Sequence, residues 1–238
     1  MKFNFPSDYA NLSPAHEKIL TQSEKILGEK GISGLELKNI ASTLKIAPST
    51  INYYYKNGEE LIFDTVIFSY QKYIQKVLDE SENNLDPEEV LKIWINHTFE
   101  WTTNLPGIGV ILEFPRQVIK IDKKSPTRAE ALLKHFSKSS SKLGISNVAF
   151  LCSAVRALQK KQNFKLLKPA QVALLIAKDS KFATFCSVIG FATLGGGLWV
   201  AGRQPGEAGT NSWRSLGFNP QKQMKDSVAG VIKLLKSN

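Results

Sequence analysis

The chain has 238 residues, 42% of them hydrophobic, which can bury a substantial core in one large or two smaller domains. Its two cysteines, Cys152 and Cys186, form no CxxC unit and sit among apolar neighbours, reading as buried thiols of a cytosolic protein, and the start MKFNFPSDYANLSP carries no secretory signal. The net charge of +10 does not by itself argue for nucleic acid, because residues 1–60 are neutral, residues 61–112 carry −5 and the excess of +15 lies in 113–238.

Residues 1–12 read as a loose arm. Ser13-Pro14 starts a first helix with proline at a tolerated position. Ile19, Leu20, Ser23, Ile26 and Leu27 give it one packing stripe, and Gly31 is placed to stop it. Ile40, Ala41 and Leu44 share one face of a second helix beginning near Glu36. Ile46 sits in the corner that follows, and Ile51 and Tyr55 repeat at i and i+4 along a third helix. That leaves Pro48, Ser49, Thr50, Asn52, Tyr53 and Tyr54 facing outward, a set of hydroxyls, an amide and aromatic edges with no carboxylate. Across residues 37–57, Lys38, Lys45 and Lys56 meet no acidic residue at all. Such a surface suits phosphate oxygens and base edges, which reject negative charge.

Asn57 and Glu60 are spaced as a capping box for a long fourth helix running from Leu61 to Leu78, long enough to leave a small domain and enter a second. After the polar break at 79–86, Asp86-Pro87-Glu88-Glu89 opens a helix carrying Val90, Leu91, Trp94, Ile95, Thr98 and Trp101. Leu105-Pro106-Gly107 breaks it, and a short apolar segment reaches Phe114. Further helices are expected from Ser125-Pro126 to near Gly144, from Asn147 to Lys161, from Pro169 as one long element, and from Pro220 to the end. No stretch alternates as a half-buried strand does, so the fold class is all-α.

The run from Gly31 to Leu61, GISGLELKNIASTLKIAPSTINYYYKNGEEL, resembles the DNA-binding signature of the TetR family of transcriptional regulators. Gly31 matches the glycine that ends helix 1, Ile40-Ala41 the pair in helix 2, Thr50, Ile51 and Tyr55 the helix-3 pattern, and Glu60-Leu61 the opening of helix 4. The sequence departs from the pattern at four places: Lys45 for a glycine at the turn, Ala47 for a serine cap, Asn52 for a tyrosine and Gly58 for a lysine. The last two positions commonly hold phosphate in the family, and Lys45 and Lys56 are placed to supply charge instead.

The resemblance implies an N-terminal helix-turn-helix domain over 1–58 and a larger helical domain over 59–238 that binds an effector and dimerises through the last two long helices. It also implies a repressor that a small molecule releases from a palindromic operator. Ser49, Asn52 and Tyr53 are then the base-reading candidates, and Lys38, Lys45, Thr50, Tyr54 and Lys56 the phosphate holders, with Pro48 opening the reading helix. Trp94, His97, Trp101, Phe114, Phe150 and Phe185 lie on helices that surround the effector cavity in such proteins.

Other chemistries have weaker support. The uncharged run from Phe182 to Gly202 has the length of a membrane span, so a membrane-tethered regulator or adaptor is the alternative reading; Ser, Thr, Cys and three consecutive glycines lower its hydrophobicity. The glycine-rich stretch Gly195 to Gly209 lacks a Gly-Lys-Ser/Thr ending and reads as a flexible connection. His16, His97 and His135 share no ligand spacing, and no nucleophile motif is present, so neither a metal, a cofactor nor catalysis is expected.

Overall fold

The structure, a computed structural model, describes residues 11–83, 86–113, 147–200 and 220–237. Among these residues every regular element is helical: α1 (Pro14–Lys30), a 3-10 turn (Ile32–Gly34), α2 (Leu37–Leu44), α3 (Pro48–Tyr54), α4 (Gly58–Ser81) and α5 (Pro87–Asn104). Then follow α6 (Pro106–Glu113), α7 (Asn147–Lys160), α8 (Pro169–Lys178), α9 (Ser180–Val200) and α10 (Pro220–Ser237). Proline opens α1, α3, α5, α6, α8 and α10, where its fixed φ suits the helix and its missing N–H has no intrahelical partner to lose.

Local chemistry sets the helix ends. The Ser13 hydroxyl accepts the His16 N–H at 3.3 Å, and α1 stops at Gly31, whose φ of 66° is open to a residue without a Cβ. Asn57 accepts the Glu60 N–H at 3.0 Å, and the Glu60 carboxylate reaches back to accept the N–H of Lys56 at 2.9 Å.

Three expectations change. The segment after Leu105 is itself a helix, α6, started by Pro106. The single long helix expected from Pro169 is two, because Asp179 leaves helical geometry (φ −127°, ψ 95°) and its carboxylate accepts the Phe182 N–H at 2.9 Å, capping α9. Gly195, Gly196 and Gly197 neither end nor interrupt α9, which continues to Val200; glycine costs such a helix about 1 kcal/mol per residue without forbidding it. The arm at 1–10, the 125–144 helix, Phe114 and residues 201–209 lie outside the described residues.

The chain folds as two compact units, Met1–Lys72 with Asn104–Leu143 and Tyr73–Thr103 with Gly144–Asn238. In the first, α1 packs against α2, α2 against α3, and α1 also against α6. Ile19, Leu20, Leu27, Ile40, Ile51 and Leu61 are fully buried there. The seam between α1 and α6 is tight: a Cβ on Gly107 would collide with the carbonyl oxygen of Leu27, and one on Gly28 with the Leu105 side chain. Glu24, on the buried face of α1, is held by Lys72 at 2.7 Å, and Lys72 in turn lies 5.0 Å over the Phe68 ring. In the second unit α9 packs on α10, α7 and α8, and Trp94, Phe150, Phe182 and Ile189 fill the interior.

Candidate nucleic-acid interface

The corner between α2 and α3 is a left-handed cap. Lys45 has φ 54° and ψ 42°, its N–H bonds the Ser42 carbonyl at 3.2 Å and the Ile46 N–H the Ala41 carbonyl at 3.1 Å. These two bonds reverse the chain within two residues, so α3 begins at Pro48 already crossing α2. Ala47 stands at the start of α3 with no side chain to cap it.

One face of α3 is buried at Ile51 and Tyr55, and the opposite face is open. Pro48, Ser49, Asn52 and Tyr53 are exposed, Tyr53 at 82%, while Thr50 and Tyr54 are half-buried. Lys38, Lys45 and Lys56 are exposed around it. On the outer side of α2, Ser42 and Thr43 spend their hydroxyls on the carbonyls of Lys38 and Asn39.

A residue that sequence reasoning passed over holds this helix in place. His16 on α1 hydrogen-bonds through Nε2 to the Tyr55 hydroxyl at 2.5 Å. Its ring stacks on Tyr54, with centroids 4.6 Å apart and planes 20° off parallel. The Tyr54 hydroxyl bonds Ser13 Oγ at 2.9 Å, and Tyr53 meets Tyr54 edge-on at 5.0 Å. Tyr54 is thereby engaged with α1 as well as facing the open side. Burial lowers the His16 pKa below its usual value, with the Asp64 carboxylate opposing that shift. The signal was present in the sequence as a histidine one turn into α1, but its partners lie on another helix.

In sequence, no family model and no curated protein matches the chain. In structure it is similar to three solved regulators. The fatty acid degradation regulator FadR from Bacillus halodurans superposes with TM-score 0.57 at 13% identity, over 93% of this chain and 96% of that one. The ketosteroid transcriptional regulator KstR2 of Mycobacterium tuberculosis gives 0.53 at 12%, over 94% and 95%. AibR, solved in complex with isovaleryl coenzyme A and operator DNA, gives 0.50 at 16%, over 92% and 97%. The fold is the TetR fold.

In that fold a helix-turn-helix precedes a helical C-terminal region, the order observed in α1–α3 and the elements after them. Of the residues expected at an effector site of a TetR-fold protein, Trp94, His97, Trp101, Phe150 and Phe185 lie in the second unit, and Phe114 lies outside the described residues. Trp94 and Phe150 are buried, with Phe150 5.2 Å from the Phe164 ring. Trp101 stacks on Tyr73 at 4.9 Å, and the Tyr73 hydroxyl bonds Thr98 Oγ1 at 2.5 Å. His97 is half-buried and its Nε2 sits 2.9 Å from the Glu80 carboxylate, while Phe185 is half-buried on α9. Among the described residues no helix, α9 included, is long and apolar enough to cross a membrane, and no group of His, Cys, Asp and Glu is arranged to hold a metal ion.

Proposed function

We propose that this chain is a dimeric, ligand-responsive transcriptional regulator of the TetR family, acting in the cytoplasm, which represses from a palindromic operator and is released by a small molecule. The observation that carries this reading is the open face of α3. It presents Ser49, Asn52 and Tyr53 without a carboxylate, is ringed by Lys38, Lys45 and Lys56, and is set at a fixed crossing by the left-handed Lys45 corner and the His16 clasp. Ser49, Asn52 and Tyr53 read base edges; Lys38, Lys45, Thr50, Tyr54 and Lys56 hold phosphates, and Pro48 starts the helix. Residues 1–58 carry the DNA-binding function and 59–238 the effector and dimer functions, with α4 joining the two.

The dimer is supported by apolar side chains left open on the last two described helices. Phe191 is 72% exposed on α9, in line with Val188 and Thr184, and Leu234 is exposed on α10. A second copy is the occupant that two-fold operator recognition requires. For the effector, the similarity to AibR, which holds isovaleryl coenzyme A, makes acyl-coenzyme A thioesters the first class to screen, with Trp94, His97, Trp101, Phe114, Phe150 and Phe185 as candidate contacts.

Selection of bound duplexes from a random pool tests the reading. A two-fold symmetric consensus is expected. With that site in hand, Asn52→Ala should lose sequence preference and Lys56→Ala should bind with a shallower salt dependence. If both variants bind as the parent does, α3 does not read DNA.

A further inference from the structure

α8 is apolar on every side and covered on only one. Between Pro169 and its final Lys178 the helix has a single polar side chain, Gln171, whose amide oxygen accepts the Lys168 N–H at 2.9 Å. It packs on α7 and α9 with Val172 buried and Leu175 half-buried, yet Leu174 is 54% exposed and Ile176 38%. Ala170, Ala173, Leu174 and Ala177 recur at i, i+3, i+4 and i+7, so they share the outward face, and each is exposed. A helix of this composition is ordinarily interior, and one left open to water marks a contact surface.

The charge around this helix has one sign. From Lys160 to Lys181 there are six lysines and one acid: Lys160, Lys161, Lys165 and Lys168 precede α8, Lys178 ends it and Lys181 follows, all exposed. The acid, Asp179, is turned to the Phe182 N–H at 2.9 Å and stands 3.9 Å from Arg156. The chain leading into α8 is pinned to α7, because the Leu167 N–H donates to Ser153 Oγ at 2.9 Å, and Lys165 and Lys168 are thereby held beside the start of the helix.

We propose that α8 is a membrane-surface contact, laid in the headgroup layer of a bilayer containing anionic lipid, with Leu174 and its alanine neighbours toward the acyl chains and the flanking lysines on the phosphates. Ten residues make α8 about 15 Å long, half the thickness of the hydrocarbon layer, so it lies in the interface and does not cross it. Lysine stems can follow apolar surface while their ammonium groups stay at phosphate level, which suits cations at both ends of an apolar helix. Charge complementarity selects this occupant over the others. A second copy would bring the same cationic region against its own image, since a two-fold contact uses one patch twice. DNA would meet the lysines and leave the leucine uncovered. An acidic protein needs polar features to set its register, and the outward face of α8 offers only alkyl groups, whereas a fluid bilayer requires no register. The contact lies in the second unit and uses none of the residues assigned to DNA or effector.

The test mixes the full chain with vesicles of phosphatidylcholine, alone or with phosphatidylglycerol added, and measures the fraction that sediments with them. Binding is expected to the anionic vesicles only, and it should weaken as salt rises. Replacing Lys165 and Lys168 together by glutamine should weaken it about five-fold for each lysine removed. Leu174→Gln, which leaves the charge intact, should weaken it about five- to tenfold, with the helical signal of each variant that of the parent. Four results would each overturn the proposal. The parent chain stays in solution with anionic vesicles; or vesicle binding is lost in Lys56→Gln and kept in the Lys165 and Lys168 variant, which would put the lipid on the helix-turn-helix; or Leu174→Gln binds as the parent does, which would leave only diffuse attraction between charges; or Leu174→Gln turns a dimer into a monomer, which would assign the face to a second copy.

Discussion

Replacing Lys45 by glycine should make the protein more stable and a poorer binder of DNA. Lys45 sits at φ 54° and ψ 42°, a conformation that costs a residue with a Cβ about 1–2 kcal/mol. Glycine removes that cost but brings a looser unfolded chain, which returns about 0.5–1 kcal/mol of it. The side chain is exposed and so contributes little packing. The net expectation is about 0.5–1 kcal/mol of added stability, visible in urea unfolding at fixed protein concentration as a higher midpoint with an unchanged slope. In the same variant each reading head gives up one cation. The slope of log K against log salt should fall by about 0.9 for each phosphate that the lysine no longer neutralises, or about 1.8 for a dimer. Lys161 supplies the control. It ends α7 with the same pair of bonds, its own N–H to Leu158 and the Gln162 N–H to Ala157, at φ 52°. Lys161→Gly should give a similar gain in stability and leave operator binding alone. If Lys45→Gly destabilises the chain, the corner is not strained as described; if it is stabilised but the salt slope is unchanged, Lys45 holds no phosphate.

Other outcomes follow from the same geometry. A double-mutant cycle between His16→Ala and Tyr55→Phe should show a coupling of about 0.5–1.5 kcal/mol in unfolding experiments, and strict additivity would mean that the clasp is not formed in solution. Burial lowers the His16 pKa, so the unfolded chain takes up the proton first. Stability from this site is complete above the ordinary value of 6.5 and is lost as pH falls through the folded pKa; His16→Gln should flatten that part of the stability profile. Gly107→Ala should cost about 1–3 kcal/mol in thermal or urea unfolding, since its methyl group meets the Leu27 carbonyl and backbone cannot yield cheaply. Phe191→Glu on α9 should shift sedimentation toward monomer without loss of helical signal, and a variant that stays dimeric would place the interface elsewhere.

The helix-turn-helix was legible from sequence because its determinants are local. The Ile40, Ala41, Leu44 and Ile51, Tyr55 spacings, the prolines at helix starts and Gly31 all act within a turn or two of themselves. The break at Asp179 was also readable, since an aspartate ahead of a new apolar run is an ordinary cap, but the uncharged run beside it drew attention to length instead. What the sequence could not disclose were partners brought together from a distance. Nothing in PGIGVILE says that it lies on α1, and nothing places His16 against Tyr54 and Tyr55. The candidate effector residues illustrate the same limit from the other side: Trp94 and Phe150 are large aromatic residues on helices that surround an effector cavity in TetR-like proteins, and such side chains serve an interior as well as a pocket.

The missing cap on α3 has a consequence for how the reading helix behaves in time. The helix has seven residues, too few to persist in water alone, and Ala47 offers its first turn no side-chain acceptor. It therefore exists because Ile51, Tyr55 and the His16 clasp hold it, and those contacts can release without unfolding the remaining core. Amide hydrogens from Ile51 to Tyr55 should exchange by such brief local openings, faster than those of Leu20 or Ile62, and at a rate that operator DNA slows by closing the helix against it. On the proposed function, the segment that would read the operator is thus held in helical form by its neighbours, and DNA binding should make its local openings rarer.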